Sequence, residues 1–89
     1  MLSQAVELIN RLGLHARAAA KVVELAGTFE SDIALVKDGR RVDAKSIMSV
    51  MMLAATVGTT IEIHADGADE QAALVALIAL VEDRFGEAE

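Results

Sequence analysis

The chain has 89 residues, 54% of them apolar, which suffices for one core and not for two, because halves of about 45 residues sit at the edge of independent folding. Fourteen acidic against eight basic side chains give a formal charge of -6, the wrong sign for neutralising phosphates along nucleic acid, and two Phe as the only aromatics leave no platform for stacking bases. Cys is absent and the two His are far apart, so disulfides, thiolate chemistry and a zinc site lose their ligands; neither metal nor cofactor is expected.

Mean hydropathy is +0.43, yet the longest uncharged apolar run, Ala72 to Val81, is ten residues. That is short of the ~20 needed to span a bilayer. Met1-Leu2-Ser3-Gln4 lacks the basic flank and apolar stretch of a secretory signal, so the chain is expected to be cytoplasmic, with no membrane partner.

Leu2 to Ile9 alternates, with Leu2, Gln4, Val6 and Leu8 on one face, the period of a half-buried strand. From Ala16 to Ala26 the residues are helix formers, with Ala19, Val22, Val23 and Ala26 at helical spacing and Gly27 as the expected C-terminal cap. Asp32 to Val36 and Arg40 to Ala44 flank Lys37-Asp38-Gly39, where Asp-Gly supplies the positive φ of a tight hairpin turn. Ser46 precedes Ile47 to Leu53 as the cap of a short helix.

Thr59 to Asp66 alternates strictly, predicting a strand with Ile61, Ile63 and Ala65 inward and Glu62, His64 and Asp66 outward. A last helix is capped by Asp69, or by Asp66 through Gly67. It runs to about Phe85, buries Leu74, Leu77, Ile78, Val81 and Phe85, and ends at Gly86, leaving Glu87-Ala88-Glu89 as a frayed tail. The fold class is therefore α+β: a two-layer open-faced β-sandwich in the order βαββαβα, a four-stranded mainly antiparallel sheet with three helices on one face. Residues 1–89 form a single domain.

Chemistry concentrates at Gly13-Leu14-His15-Ala16-Arg17. An imidazole at a helix start meets unpaired N–H groups and the positive end of the dipole, which together form an anion site. The same field disfavours a cationic ring, so His15 is expected to be neutral and nucleophilic, with Arg17 able to pair with phosphoryl oxygens through its planar fork. A lone His at a helix start is also commonly a capping or surface residue, and the local pattern alone leaves both readings open.

Asn10-Arg11-Leu12-Gly13-Leu14-His15-Ala16-Arg17 and Arg40-Arg41-Val42-Asp43-Ala44-Lys45-Ser46-Ile47-Met48-Ser49-Val50-Met51 resemble the two signatures of the HPr family, the histidine phosphocarriers of the bacterial phosphotransferase system. The likeness extends to length, element order and the Gly-Ala-Asp-Glu opening of the last helix at Gly67 to Glu70. It implies that His15 accepts a phosphoryl group from Enzyme I, charged from phosphoenolpyruvate, and passes it to IIA-type acceptors, with Arg17 assisting. It also implies that Ser46 is the target of an HPr kinase/phosphorylase. Two residues depart from the pattern: Ala18 stands where the family often has Pro, restoring one N–H donor, and Ser49 stands where Gly is frequent, placing a second hydroxyl one turn from Ser46.

Ile47, Met48, Met51 and Met52 are the expected docking residues. A two-turn helix cannot hide Ile47, Met48, Val50, Met51 and Leu53 together, so some must face outward, although Met also serves to fill cores. His64, between Glu62 and Asp66, is expected to face solvent beside a carboxylate, and the acidic residues Glu82, Asp83, Glu87 and Glu89 read as a solvated face. The leading reading is a monomeric carrier that is not itself an enzyme. The alternative is a regulatory module in which phosphorylated Ser46 switches binding to a transcriptional regulator.

Overall fold

The computed structural model describes all 89 residues. Strands β1 (Leu2–Glu7), β2 (Asp32–Lys37), β3 (Arg40–Asp43) and β4 (Thr60–Asp66) and helices α1 (Ala16–Ala26), α2 (Ile47–Met52) and α3 (Glu70–Glu82) follow the expected order. A 3-10 turn, Arg84–Gly86, comes last. The sheet order is β1-β4-β2-β3, and all three strand pairs are antiparallel.

Register decides which side chains meet. Leu35 lies opposite both Val42 and Ile63, and Ile33 and Leu2 lie opposite Ala65, so one face presents an apolar row to the helices. Ala18, Ala19, Val22 and Ala26 of α1, Val50 of α2 and Ala73, Leu77 and Val81 of α3 close over it as one core. Small residues on α1 let that helix lie close to its neighbours, and burial of the aliphatic row contributes roughly 25 cal/mol per Å². Asp38 and Gly39 adopt φ of 51° and 80°, the mirror-image turn that matches the twist of the β2–β3 hairpin.

Three expectations need correction. β1 ends at Glu7 rather than Ile9; Leu8 stays buried, donating its N–H to Thr59 and accepting from Gly58, while Ile9 turns 41% exposed. Gly27 ends α1 as expected, with φ of -65°, and the Leu25 carbonyl accepts from both the N–H and the Oγ1 of Thr28.

Asp69 occupies the N-cap of α3 without capping it through its side chain. Its carboxylate instead accepts from the N–H groups of Glu30 and Ser31, both at 2.9 Å, and from the Ser31 hydroxyl. Glu70 Oε1 accepts from Gly67 N–H at 3.1 Å, so the helix opening is secured from one position later.

α3 stops at Glu82, not near Phe85. Arg84 and Phe85 both take φ of 54°, a left-handed conformation costing about 1–2 kcal/mol per residue without glycine. Phe85 is 1% exposed, and burying such a ring contributes about 1.5–3 kcal/mol. Lys21 Nζ donates to the Phe85 carbonyl, adding to that gain. The reversal throws residues 87–89 back across the start of α1.

Candidate functional site

The loop before α1 is held at both ends. Gly13 adopts φ of +62°, and a Cβ there would lie 2.5 Å from the Ala55 carbonyl oxygen, so only glycine fits this approach. Leu14, buried, donates its N–H to that same carbonyl at 2.9 Å. Asn10 is fully buried and its Nδ2 donates to the Gly13 carbonyl at 2.8 Å, closing the loop on itself.

His15 is thereby fixed as the N-cap of α1, with φ of -75° and ψ of 177° and no side-chain capping bond. The N–H groups of Ala16, Arg17 and Ala18 have no partner within the protein, and the first turn carries no acidic residue. Three donors and the positive helix end thus converge beside the ring. The Arg17 side chain is exposed and makes no ion pair, which leaves its fork available to an anion. A cleft of ≈ 590 Å³ is lined by Arg11, Leu12, His15, Ala16, Arg17, Glu87, Ala88 and Glu89.

Sequence reading did not place the last three of these here. Residues 87–89 are not a frayed tail, and Glu87 does not belong to a solvated face: its side chain is 15% exposed, with Oε2 against His15 Nε2 and Oε1 accepting from Asn10 Nδ2 at 3.0 Å. Arg11 N–H donates to the Glu89 main-chain oxygen at 2.7 Å, and its guanidinium pairs with the Glu89 carboxylate at 2.8 Å. The Asn10 amide chiefly, and the His15 ring after it, hold the Glu87 carboxyl below its ordinary range against the opposing effect of burial. That negative charge opposes the field of the helix end on the ring, a balance the local pattern around His15 did not include. No periodicity signals such a return; it follows from the left-handed residues Arg84 and Phe85.

Ser46 caps α2 as expected, its Oγ accepting from Ser49 N–H at 3.3 Å. Val50 and Leu53 are buried, while Ile47, Met48, Met51 and Met52 are 40%, 71%, 43% and 56% exposed. The methionines therefore form a surface patch rather than core filling, and α2 packs beside α1. His64 is only 18% exposed at its side chain, held by Glu62 at 2.8 Å as expected and by Arg41 at 3.1 Å, which reaches across β2 from the edge strand β3. No helix is long and apolar enough to cross a membrane.

Residues 2–83 match the family described as PTS HPr component phosphorylation site. The phosphocarrier protein HPr of Cupriavidus necator is 56% identical over 89 residues, covering both chains in full, and that of Neisseria meningitidis serogroup A is 52% identical with the same coverage. The crystal structure of HPr-C-His from Thermoanaerobacter tengcongensis superposes with a TM-score of 0.96 at 43% identity, again over the whole of both chains. Fold, element order and sequence agree over the matched length, and the chain belongs to the HPr family of phosphocarrier proteins, which carry a phosphoryl group rather than catalyse a reaction.

Proposed function

We propose that this protein accepts a phosphoryl group on His15 from phosphorylated Enzyme I and passes it to IIA-type acceptors, working in the cytoplasm as one domain over residues 1–89. The observation that carries this reading is the set of unpaired N–H groups at Ala16, Arg17 and Ala18 beside the His15 ring. A phosphoryl group on that ring brings negative charge to the positive helix end, where three donors wait and Arg17 can pair with its oxygens. Such a product is stabilised without being trapped, which suits a carrier that must also give the group away.

The exposed Ile47, Met48, Met51 and Met52 are the docking surface for successive partners, since flexible thioethers adapt to different shapes. Ser46, at a helix end with no acidic residue in its first turn, is the site at which an HPr kinase/phosphorylase adds regulatory charge. Incubation with Enzyme I and phosphoenolpyruvate, followed by mass spectrometry, tests the reading. One acid-labile phosphoryl group on His15 is expected; a protein that stays unlabelled, or carries only an acid-stable phosphate, overturns it.

A further inference from the structure

Resting on that carrier reading, we infer that Lys37 is a positioning residue for phosphoryl transfer: from the end of β2 its ammonium holds the turn after α2, and that turn holds the loop on which His15 stands. Lys37 Nζ donates to the Leu53 carbonyl at 3.0 Å and lies 3.5 Å from that of Ala54. It forms no ion pair, so these two oxygens are its partners. Neither oxygen accepts a main-chain N–H.

The role arises from the way α2 ends. A helix commonly closes on a left-handed glycine, and a basic side chain in the last turn meets the free carbonyls and the negative end of the dipole. Here the last turn carries no basic residue, Leu53 is the C-cap, and Ala54, with φ of 50°, takes the left-handed conformation that a Cβ disfavours. A cation reaching over from β2 supplies the contact that α2 lacks. Lys37 is half-buried, its stem lying against the protein while the ammonium meets the turn.

The next residue passes the restraint on. The Ala55 carbonyl accepts from Leu14 N–H at 2.9 Å and abuts Gly13, where a Cβ would lie 2.5 Å from it. Ala55 and Leu14 are both buried, so close packing leaves little room to absorb a rotation at Ala54 before it reaches His15, one residue beyond Leu14. In the transfer a nitrogen of the His15 ring forms the bond to phosphorus while the bond from phosphorus to the donor enzyme breaks, its electron pair leaving with the donor. Lys37 touches none of these atoms. It acts on how the ring is presented, and displacement at phosphorus is sensitive to that, a misplacement of about 1 Å costing about a hundredfold.

The test uses the full-length protein with Lys37→Met, which keeps the stem and removes the ammonium, Lys37→Arg, which keeps donors and charge, and Lys37→Met placed in an Ala54→Gly parent. Steady-state transfer from phospho-Enzyme I should show kcat reduced about fivefold in Lys37→Met, KM for the carrier within about twofold, and recovery in Lys37→Arg. In the Ala54→Gly parent, where the left-handed turn is unstrained, the same Lys37→Met change should cost less than about twofold. Hydrogen exchange at the Leu14 amide should quicken about tenfold in Lys37→Met, with the amides of the β1–β4 ladder unchanged. An unchanged kcat, a change confined to KM, a loss undiminished in the Ala54→Gly parent, or exchange that quickens equally across the sheet would overturn the inference. A wild type that takes no phosphate from Enzyme I would instead remove the carrier reading itself.

Discussion

Asp69 and Ser31 are joined twice, by main-chain N–H at 2.9 Å and by the hydroxyl, although 38 residues separate them. With the Glu30 N–H, these bonds fasten the turn before β2 to the start of α3. The Ser31 hydroxyl, then the Glu30 amide, hold the Asp69 carboxyl down at about 2 from an ordinary 3.8. Because the folded value is the lower one, the stabilisation is present above pH 3.8 and fades as pH falls from there towards 2. Asp69→Asn should lower Tm at neutral pH, and the deficit relative to wild type should shrink as acid is added through that window. A constant deficit across an acid titration monitored by circular dichroism would show that the carboxylate charge is not what the contact uses.

Gly13→Ala should destabilise by about 2 kcal/mol or more, on the order of 10 °C in Tm. The new Cβ would meet the Ala55 carbonyl oxygen at 2.5 Å and Thr56 Cα at 2.9 Å, backbone atoms that cannot step aside, at a φ of +62°. Calorimetry measures the loss. A melt unchanged from wild type would mean that the loop carrying His15 yields freely.

His15→Ala should abolish labelling by Enzyme I while leaving a folded domain, because the ring is 26% exposed and its removal opens no core cavity. Arg17→Lys should slow transfer without ending it, since charge remains and the planar fork is lost. Labelling assays with both variants separate the roles, and an unaltered rate for Arg17→Lys would make Arg17 a bystander cation.

Ser46→Asp should melt at or above the wild-type temperature, keeping an oxygen for the Ser49 N–H and adding negative charge to a first turn that has none. Ser46→Ala should cost about 1 kcal/mol by losing the cap. The Asp variant should also bind Enzyme I more weakly, since docking over the neighbouring methionines must desolvate the added charge. Titration calorimetry giving equal affinities would place Ser46 outside the docking surface.

Met48→Ser removes a side chain that is 71% exposed, so Tm should stay within about 3 °C of wild type. Affinity for Enzyme I should fall about tenfold if this residue anchors the interface. A parallel fall in Tm would reveal a structural role that its exposure does not suggest.

The element order, the β2–β3 hairpin, the Ser46 cap and the position of His15 at the head of α1 were all legible in the residues. Each rests on short-range rules: a period of two or of 3.6, an Asp-Gly turn, a hydroxyl before an apolar run. The outward methionines were foreseeable in part, because two helical turns cannot bury five large apolar side chains. Only the tertiary structure decided where Asp69 and Glu87 spend their carboxylates. An Asp before a helix reads as a cap, yet the Glu30 and Ser31 amides and the Ser31 hydroxyl offer three hydrogen bonds that only the packing of α3 against the β2 turn brings within reach. Glu87 reads as a solvated charge because nothing local marks Arg84 and Phe85 for left-handed backbone; a core slot for the Phe85 ring imposes it, and the chain leaving that slot carries Glu87 onto His15.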